Sequence, residues 1–319
     1  MKQSAIDTIA LSEQVRMTRQ TFATNAVMSV SIQKERRVYD AQSKSTLPGM
    51  LVLTEGGKST KDQAVGEAYN GAGWTYDLYK NIYGRNSIDN KGLILDSSVH
   101  FSKNYDNAFW NGNQMVYGDG DGKIFNRFTK AIDVIGHELT HGVTQYTAQL
   151  EYQDQSGALN EHISDVFGSI VKQYSIKQSA KQADWLIGQG LFTDKIHGVA
   201  LRSMKAPGTA YDDPLIGKDP QPGTMKDYND TTEDNGGVHI NSGIPNRVFY
   251  LIATDIGGYS WEKSGKIWYK TLDLLEKNSD FQDMADYTFE AAGDLFGNSS
   301  PEQESVQKGW NGVGITVKK

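Results

Sequence analysis

The sequence has no cysteine among its 319 residues. Disulfide bonds and metal sites made of thiolates are therefore excluded, so any bound metal must be held by imidazole and carboxylate groups. The missing cysteine does not fix the compartment, because cytosolic and exported proteins can both lack it. No apolar run is long enough to span a bilayer, and residues 1–4 do not lead into the apolar core of a signal peptide.

The sequence also has no cluster of basic residues, since acids and bases are interspersed and the net charge is −7. Neither nucleic acid nor an anionic membrane surface is therefore an expected partner. A chain of 319 residues can bury the core of one large domain or of two lobes.

The most informative segment is His137-Glu138-Leu139-Thr140-His141. Two histidines four residues apart lie on one face of a helix, so both imidazoles can reach one metal ion. The glutamate between them is placed to act on a water bound to that metal. The histidines fall roughly opposite an apolar stripe, which would face the core and which consists of Ile132, Ile135, Leu139 and Val143.

A second helical segment repeats this arrangement twenty residues later. Glu161 and Asp165 lie one turn apart and opposite an apolar stripe that includes Ile163, Val166 and Phe167. The alternative is a chance motif on helices that serve only packing. Because packing alone gives no reason for two neighbouring helices to carry such groups, we predict a zinc site held by histidine and carboxylate.

The segment 234–243 contains two glycines that permit a close backbone approach, followed by His239. Asp234 can orient His239 through a ring nitrogen, and His239 could then stabilise an oxyanion. The alternative is a well-packed loop without a catalytic role.

The segment 107–112 is typical of an edge strand before a turn, whose backbone could pair with an extended peptide. An ordinary hairpin strand explains these residues equally well. Arg202 lies in a loop-rich segment and could hold a substrate carbonyl, or form a structural salt bridge. His100, His162 and His197 join no cluster in the sequence and are interpreted as structural.

The pattern of secondary structure changes after about residue 128. Turn signals separate short strands before it, namely 37–41, 50–54, 93–101 and 114–117, with one helix over about 62–83. Helical periods dominate after it, at 132–147, 158–175, 242–256, 261–276, 280–296 and 301–309, with a long ordered loop over 191–236. We predict a β-rich lobe over 36–135 and a helical lobe over 136–319.

Taken together, four motifs in this order resemble the thermolysin family of zinc metalloendopeptidases. They are AIDVIGHELTHGVT, SGALNEHISD, ALRSM and DNGGVHINSG, and the resemblance extends from about Arg36 to the C-terminus. It implies the α+β fold of the zincins, with the active-site helix and cleft between a β-rich and a helical lobe. It also implies cleavage of peptide bonds on the N-terminal side of bulky apolar residues by a zinc-bound water.

The resemblance further implies a role for each matching residue. His137, His141 and Glu161 would bind one catalytic Zn²⁺, and Glu138 would be the general base. His239, oriented by Asp234 and assisted by Tyr152, would stabilise the oxyanion, while Asp165 and Asn160 would support His137 and His141. The substrate would be aligned by Asn107, Ala108, Trp110 and Arg202, and its apolar side chain would enter a pocket lined by Phe125, Phe128, Val134, Ile187, Leu191 and Leu201.

The sequence departs from the family where some members bind calcium. Asp133 and Asp184 match that acidic cluster, but Lys172, Leu186 and Gln189 stand where acids are needed. A double Ca²⁺ site is therefore doubtful. We hypothesise instead that the Lys172 ammonium lies near Asp133 and replaces the ion by its charge.

Residues 1–35 resemble the end of a short prosegment and a linker, as in the protealysin-type branch of the family. An amphipathic helix is predicted at 4–20, and the mature enzyme would begin near Arg36 after self-cleavage. The family resemblance favours a secreted, monomeric protease acting on peptides or proteins. The alternative is a latent or non-catalytic zinc-binding protein on the same fold.

Overall fold

The computed structural model describes residues 33–58 and 60–319. The predicted helix over 4–20 and the linker up to residue 32 lie outside the described residues. Two compact units are present, and each is made of two segments of the chain. The first comprises the described residues up to Val143 together with Gly188–His197, and the second comprises Thr144–Ile187 and Gly198–Lys319. The boundary thus lies later in the chain than the sequence-based boundary at 135.

The first unit contains a mixed five-stranded sheet in the order β2-β1-β3-β5-β4. β1 runs parallel to β3 and β3 parallel to β5, while the β1–β2 and β4–β5 pairs are antiparallel. The predicted strands are confirmed, with ends that differ by one or two residues. Their bounds are β1 Arg36–Asp40, β2 Met50–Thr54, β3 Leu95–Val99, β4 Ala108–Trp110 and β5 Met115–Tyr117.

Helix α1 (Gln63–Tyr83) packs beside this sheet, and both of its ends are explained by local chemistry. The carboxylate of Asp62 accepts hydrogen bonds from the backbone N–H groups of Ala64 and Val65, an N-cap worth about 1 kcal/mol. The helix ends at Gly84, whose φ of 71° is left-handed and suits a residue without a side chain.

Helix α2 (Ile132–Gln145) carries the first metal-binding motif and lies in close contact with α1 and β4. A Cβ atom on Gly142 would lie 2.5 Å from Cγ2 of Ile88 and 3.1 Å from the Trp110 ring. The Tyr79 hydroxyl on α1 forms a 2.8 Å hydrogen bond with the hydroxyl of Thr140. These contacts fix the axial rotation of α2. In its predicted apolar stripe, Ile135, Leu139 and Val143 are buried and Ile132 is half-buried.

The second unit is mainly helical, as predicted, and is built around α3 (Asp154–Ser175), which is buried over most of its length. The remaining helices are α4 Asp234–Asn241, α5 Gly243–Ile256, α6 Ser264–Thr271, α7 Phe281–Phe296 and α8 Pro301–Asn311. The prediction of a helix over 261–276 was too long, because α6 ends at Thr271 and turns follow it.

The predicted loop 191–236 contains very short strands and a 3₁₀ helix at Met225–Asp227. Two antiparallel pairs have two residues per strand: β8 pairs with β9 inside this loop, and β7 in the loop pairs with β6, which precedes the loop. Their bounds are β6 Leu186–Ile187, β7 Arg202–Ser203, β8 Asp212–Asp213 and β9 Gly217–Lys218. No helix among the described residues is long and apolar enough to cross a membrane.

Candidate metal centre and active site

The buried side chains of His137, Glu138 and His141 form a compact group on α2. One potential ligand atom from each lies within 4.8 Å of the others, and no other such group occurs within 33–58 and 60–319. The Nε2 atoms of the two histidines are 3.1 Å apart, with the rings nearly perpendicular at 88°. Two buried imidazole nitrogens directed at one point suit a shared cation, so these residues fit the predicted zinc ion.

The carboxylate of Glu138 is held from the edge of the sheet. Its Oε2 atom accepts a hydrogen bond of 3.1 Å from the backbone N–H of Trp110 on β4. Burial, reinforced by the nearby charge of Glu138, raises the pKa of the Tyr117 phenol, which therefore stays protonated. The base predicted from the sequence is thus fixed beside the strand that was predicted to align the substrate.

β4 is an edge strand, which is one of the two alternatives that the sequence left open. It pairs only with β5 in the described sheet, and it lies at the end of the strand order. Asn107 precedes it and accepts a 2.9 Å hydrogen bond from the N–H of Ala108 through its own Oδ1 atom. An edge strand can add an extended peptide through backbone hydrogen bonds.

In the second unit, Tyr152, Glu161, His239 and Asp234 form a chain of polar contacts. Asp234 accepts a 2.6 Å hydrogen bond from Nδ1 of His239 and a 2.8 Å bond from its backbone N–H. The Tyr152 hydroxyl donates a short hydrogen bond to Oε1 of Glu161 and lies 3.2 Å from Nε2 of His239. The predicted orientation of His239 by Asp234 is therefore present.

The backbone that carries His239 is unusual. Asn235, Gly236 and Gly237 have positive φ values of 51°, 81° and 75° inside α4. A Cβ atom on Gly236 would lie 2.0 Å from Oδ1 of Asp154, so glycine is required there. This tight turn brings Asp234 back onto His239, as the two glycines in the sequence indicated.

The buried carboxylate of Asp165 is paired with Arg202. Nη2 and Nε of Arg202 donate to its two oxygen atoms at 2.6 and 2.8 Å, and Nδ2 of Asn246 donates at 2.8 Å. The structural salt bridge considered for Arg202 is thus present. Asn160 donates from Nδ2 to the carbonyl oxygen of Leu150 at 3.3 Å.

His162 is structural, as predicted. It is fully buried between Asn246, whose Oδ1 lies 2.8 Å from Nδ1, and Trp268, whose indole N–H donates to Nε2 at 2.8 Å. Burial lowers the pKa of His162 to about 4, so the ring is neutral at pH 7. An indole donor bonding to Nε2 requires that this nitrogen be unprotonated.

The residues expected to line an apolar pocket occur in both units. In the first unit, the rings of Phe125 and Phe128 are 5.4 Å apart, and Val134 and Leu191 are buried. In the second unit, Leu201 donates its backbone N–H to the carbonyl oxygen of buried Ile187 at 2.9 Å. Phe192 was not predicted, yet its ring lies 5.5 Å from that of Phe125.

Comparison with known proteins identifies the family. Residues 5–145 match the catalytic domain of the thermolysin metallopeptidases, and residues 148–315 match their alpha-helical domain. The chain belongs to the thermolysin metallopeptidase family. It is therefore a zinc metalloendopeptidase with the α+β fold of that family, and His137, Glu138 and His141 are its metal-binding motif.

The relatives of this family member include extracellular enzymes. An extracellular metalloprotease of Pectobacterium carotovorum subsp. carotovorum is 56% identical over 90% of this chain and 82% of its own length. The structure of the precursor of protealysin from Serratia proteamaculans is 56% identical, with a TM-score of 0.88, over 92% of this chain and 91% of that chain. A thermolysin of Alicyclobacillus acidocaldarius subsp. acidocaldarius is 43% identical over 87% of this chain and half of its own length.

Lys172 was predicted to stand where a calcium-binding family member would have an acid, and it forms an ion pair. Lys172 donates from Nζ to both carboxylate oxygens of Asp184, at 3.0 and 2.9 Å, and lies 3.4 Å from the carbonyl oxygen of Leu186. The ammonium group of Lys172 thus pairs with Asp184, one of the two acids that match the calcium-binding cluster of the family. Its predicted approach to Asp133 stays a prediction.

Two groups were missed or misread from the sequence. His100 was expected to join no cluster, which is wrong: its Nδ1 lies 2.9 Å from Asp119 and its Nε2 3.0 Å from Asp62. Gln221 was missed, although its Nε2 donates to the carbonyl oxygen of His239 at 2.7 Å. Neither contact has a sequence signal, because the partners are 18 or more residues apart.

Proposed function

We propose that this enzyme cleaves peptide bonds on the N-terminal side of bulky apolar residues, with Glu138 as general base. The observation that carries the proposal is the buried group on α2, in which two ring nitrogens converge beside a carboxylate. Membership of the thermolysin family supports the same reaction.

The proposed metal ligands are His137, His141 and Glu161. The first two meet the requirement for converging ring nitrogens, and Glu161 supplies a buried carboxylate in the motif that matches the family. When bound, Zn²⁺ supplies Lewis acidity, which polarises a carbonyl group and makes water more acidic.

Glu138 would take a proton from the attacking water and deliver it to the leaving amine. The N–H of Trp110 holds one oxygen of this carboxylate, which restricts its rotation and fixes the other oxygen relative to β4. A general base must lie within hydrogen-bond reach of the proton that it moves, and such a base contributes about 10²–10⁴ in rate.

His239 and Tyr152 would stabilise the negative charge that develops on the substrate's carbonyl oxygen when water adds to the carbonyl carbon. Asp234 holds Nδ1 of His239, which leaves Nε2 directed at the Tyr152 hydroxyl and 3.5 Å from Glu161. Donors fixed before the reaction are effective because they need no reorganisation as charge develops.

Substrate alignment would use Asn107, Ala108 and Trp110 on the edge strand and Arg202 in the second unit. The edge position of β4 supports backbone pairing with the peptide. Arg202 is paired with Asp165, so its guanidinium plane is fixed before any substrate binds. Asp165 and Asn160 would orient His137 and His141.

The apolar specificity pocket would be lined by the residues predicted from the family. Several of these side chains are buried and aromatic or branched, which favours Leu, Phe, Ile or Val after the cleaved bond. The residues proposed to line the pocket are Phe125, Phe128, Val134, Ile187, Leu191 and Leu201.

We further propose that residues 1–35 are a prosegment with its linker and that the enzyme is exported and monomeric. We also propose that Lys172 takes the place of calcium. The Lys172–Asp184 ion pair supports the last point, because an ammonium there lowers the negative charge that an ion would otherwise neutralise. A large rise in melting temperature at sub-millimolar calcium would contradict it.

The deciding experiment measures hydrolysis of a blocked peptide with Leu or Phe after the scissile bond. We expect activity that a zinc chelator removes, that added zinc restores, and that Glu138→Ala abolishes. A matched peptide with Asp at that position should be cleaved far more slowly. Stoichiometric zinc without turnover would favour the alternative, a latent or non-catalytic zinc-binding protein, and a latent form would gain activity when residues 1–35 are removed.

A further inference from the structure

The hairpin formed by β8 and β9 is small and has an apolar tip. Its ladder consists of two residue pairs, Asp212 with Lys218 and Asp213 with Gly217, and the backbone N–H of Leu215 donates a 2.7 Å hydrogen bond to Oδ1 of Asp213. The connecting loop, residues 214–216, reads Pro-Leu-Ile, and Gly217 closes it with a φ of 83°. We call this three-residue loop the hairpin tip.

Leu215 in the hairpin tip is the most exposed large apolar side chain of the described residues, at 70%. Ile176 (60%) directly follows the last residue of α3, and the ring of Tyr259 (39%) is stacked on Trp261. Apart from Val199, the other exposed large apolar side chains lie within helices or in the five-residue strand β2. A peptidase that binds an extended backbone must first unfold a helix to cut it. At the hairpin tip, two residue pairs and the hydrogen bond from Leu215 to Asp213 oppose local opening, which is fewer contacts than a helix presents.

Val199 is the nearest competitor, at 58% exposure and also outside regular structure. The backbone N–H groups of both Val199 and Leu215 are bonded, to the carbonyl oxygen of Ala210 at 2.9 Å and to Oδ1 of Asp213 at 2.7 Å. The difference lies in the next residue, because Ala200 is fully buried. Lifting Val199 into a cleft would therefore pull a buried neighbour out of the core, whereas Leu215 is followed by Ile216, which is half-buried, and by exposed Gly217.

We propose that the hairpin tip is a self-cleavage site, cut in one copy of the folded protein by another copy. The inference rests on the proposed specificity, because Leu215 and Ile216 are residues that the apolar pocket would accept. In the reaction, water adds across the amide before Leu215 or before Ile216. The carbonyl carbon gains the hydroxyl and becomes a carboxylate, and the nitrogen gains the proton and becomes a free α-amine.

The base of the hairpin remains anchored after such a cut. Asp213 is buried at one side of the loop, and buried Asp219 follows β9 at the other. The Asp219 carboxylate accepts hydrogen bonds from the backbone N–H groups of Gly208, Ala210 and Gln221. These bonds join the two sides of the cut, so we expect a nicked protein whose two fragments stay associated.

The nick would separate two groups proposed to act on substrate. Arg202 lies before the hairpin tip in the chain, and the α4 segment that carries His239 lies after it. The nicked form therefore has its proposed substrate-binding arginine and oxyanion-stabilising histidine on different polypeptides, held together only by non-covalent contacts.

The test uses the full-length Glu138→Ala variant as substrate and a trace of active enzyme as the protease. Denaturing electrophoresis, intact mass and N-terminal analysis follow the products over time, and size exclusion follows their association. We expect a C-terminal fragment that begins at Leu215 or Ile216 and that co-elutes with its partner fragment. Earlier removal of residues 1–35 changes only the mass of the N-terminal fragment.

The matched variants are Leu215→Asn with Ile216→Ser in the hairpin tip, and Val199→Asn as the control. The first should slow the nick by at least about tenfold, since it removes the side chains that the pocket accepts, and the control should leave the rate unchanged. A chain that stays intact between Thr60 and Lys319, or that is cut there at another residue, overturns the proposal. A preparation that cleaves the blocked peptide and does not nick refutes only this inference, whereas failure to cleave the peptide refutes the proposed function.

Discussion

The backbone N–H of Trp110 donates a hydrogen bond to Oε2 of Glu138, at 3.1 Å. This contact joins the edge strand β4 to the second residue of the metal-binding motif on α2. The hydrogen bond restricts the rotation of the Glu138 carboxylate relative to β4. The same strand that can pair with a peptide therefore also sets the position of the proposed base.

Glu138→Gln keeps an acceptor for the Trp110 N–H but removes the ability to take a proton. We expect kcat for the blocked peptide to fall by about 10²–10⁴, while the melting temperature stays within a few degrees. Zinc content, measured by atomic absorption, should remain stoichiometric. Substantial activity in this variant would rule out Glu138 as the base.

The His100 imidazole lies between the carboxylates of Asp62 and Asp119, and these contacts raise the pKa of His100 to about 9. A folded-state pKa above the unfolded value of 6.5 means that protonated His100 stabilises the native state. This contribution is complete below about pH 6.5 and is lost as the pH rises through 9.

We therefore expect His100→Asn to lower the melting temperature most below pH 6.5 and least above pH 9. Melting temperatures of wild type and variant across pH 6–10 check this expectation. His197→Asn, at a histidine outside this cluster, serves as the control. A difference between wild type and His100→Asn that grows with pH would contradict the assigned ion pairs.

Arg202→Ala would leave the carboxylate of Asp165, which is fully buried, without its bidentate partner. Removing one partner of a buried pair costs about 3–5 kcal/mol, so we expect a clear loss of stability in urea unfolding. Lys308→Ala removes an exposed i,i+4 pair with Glu304 and should change stability by about 1 kcal/mol or less. Equal effects of both substitutions would show that Asp165 does not depend on Arg202.

Gly142→Ala tests the packing of α2 against the sheet. The new methyl group would overlap Ile88 and press on the Trp110 ring, at a cost of about 1–3 kcal/mol. The matched control is Gly66→Ala in α1, where a Cβ meets nothing within 4 Å and alanine should stabilise by up to about 1 kcal/mol. Thermal melting compares the two, and a neutral Gly142→Ala would contradict the close approach.

The sequence by itself determined the features that depend on neighbours along the chain. His137 and His141 share a helix face because they are one turn apart, and Asp234 reaches His239 because two glycines between them permit left-handed turns. The turn signal at residues 111–112 also favoured a strand at 107–110, although the sequence left an edge strand and an ordinary hairpin strand equally possible.

Only the tertiary structure decided which distant groups meet. The Trp110 N–H reaches Glu138, Gln221 reaches the His239 carbonyl, and His100 lies between two aspartates that are far apart in the chain. The spacing of the apolar residues likewise did not predict that α6 ends at Thr271. Periodicity is a local property of the backbone, whereas these contacts depend on how separate helices and strands pack, and a single sequence carries no direct record of that packing.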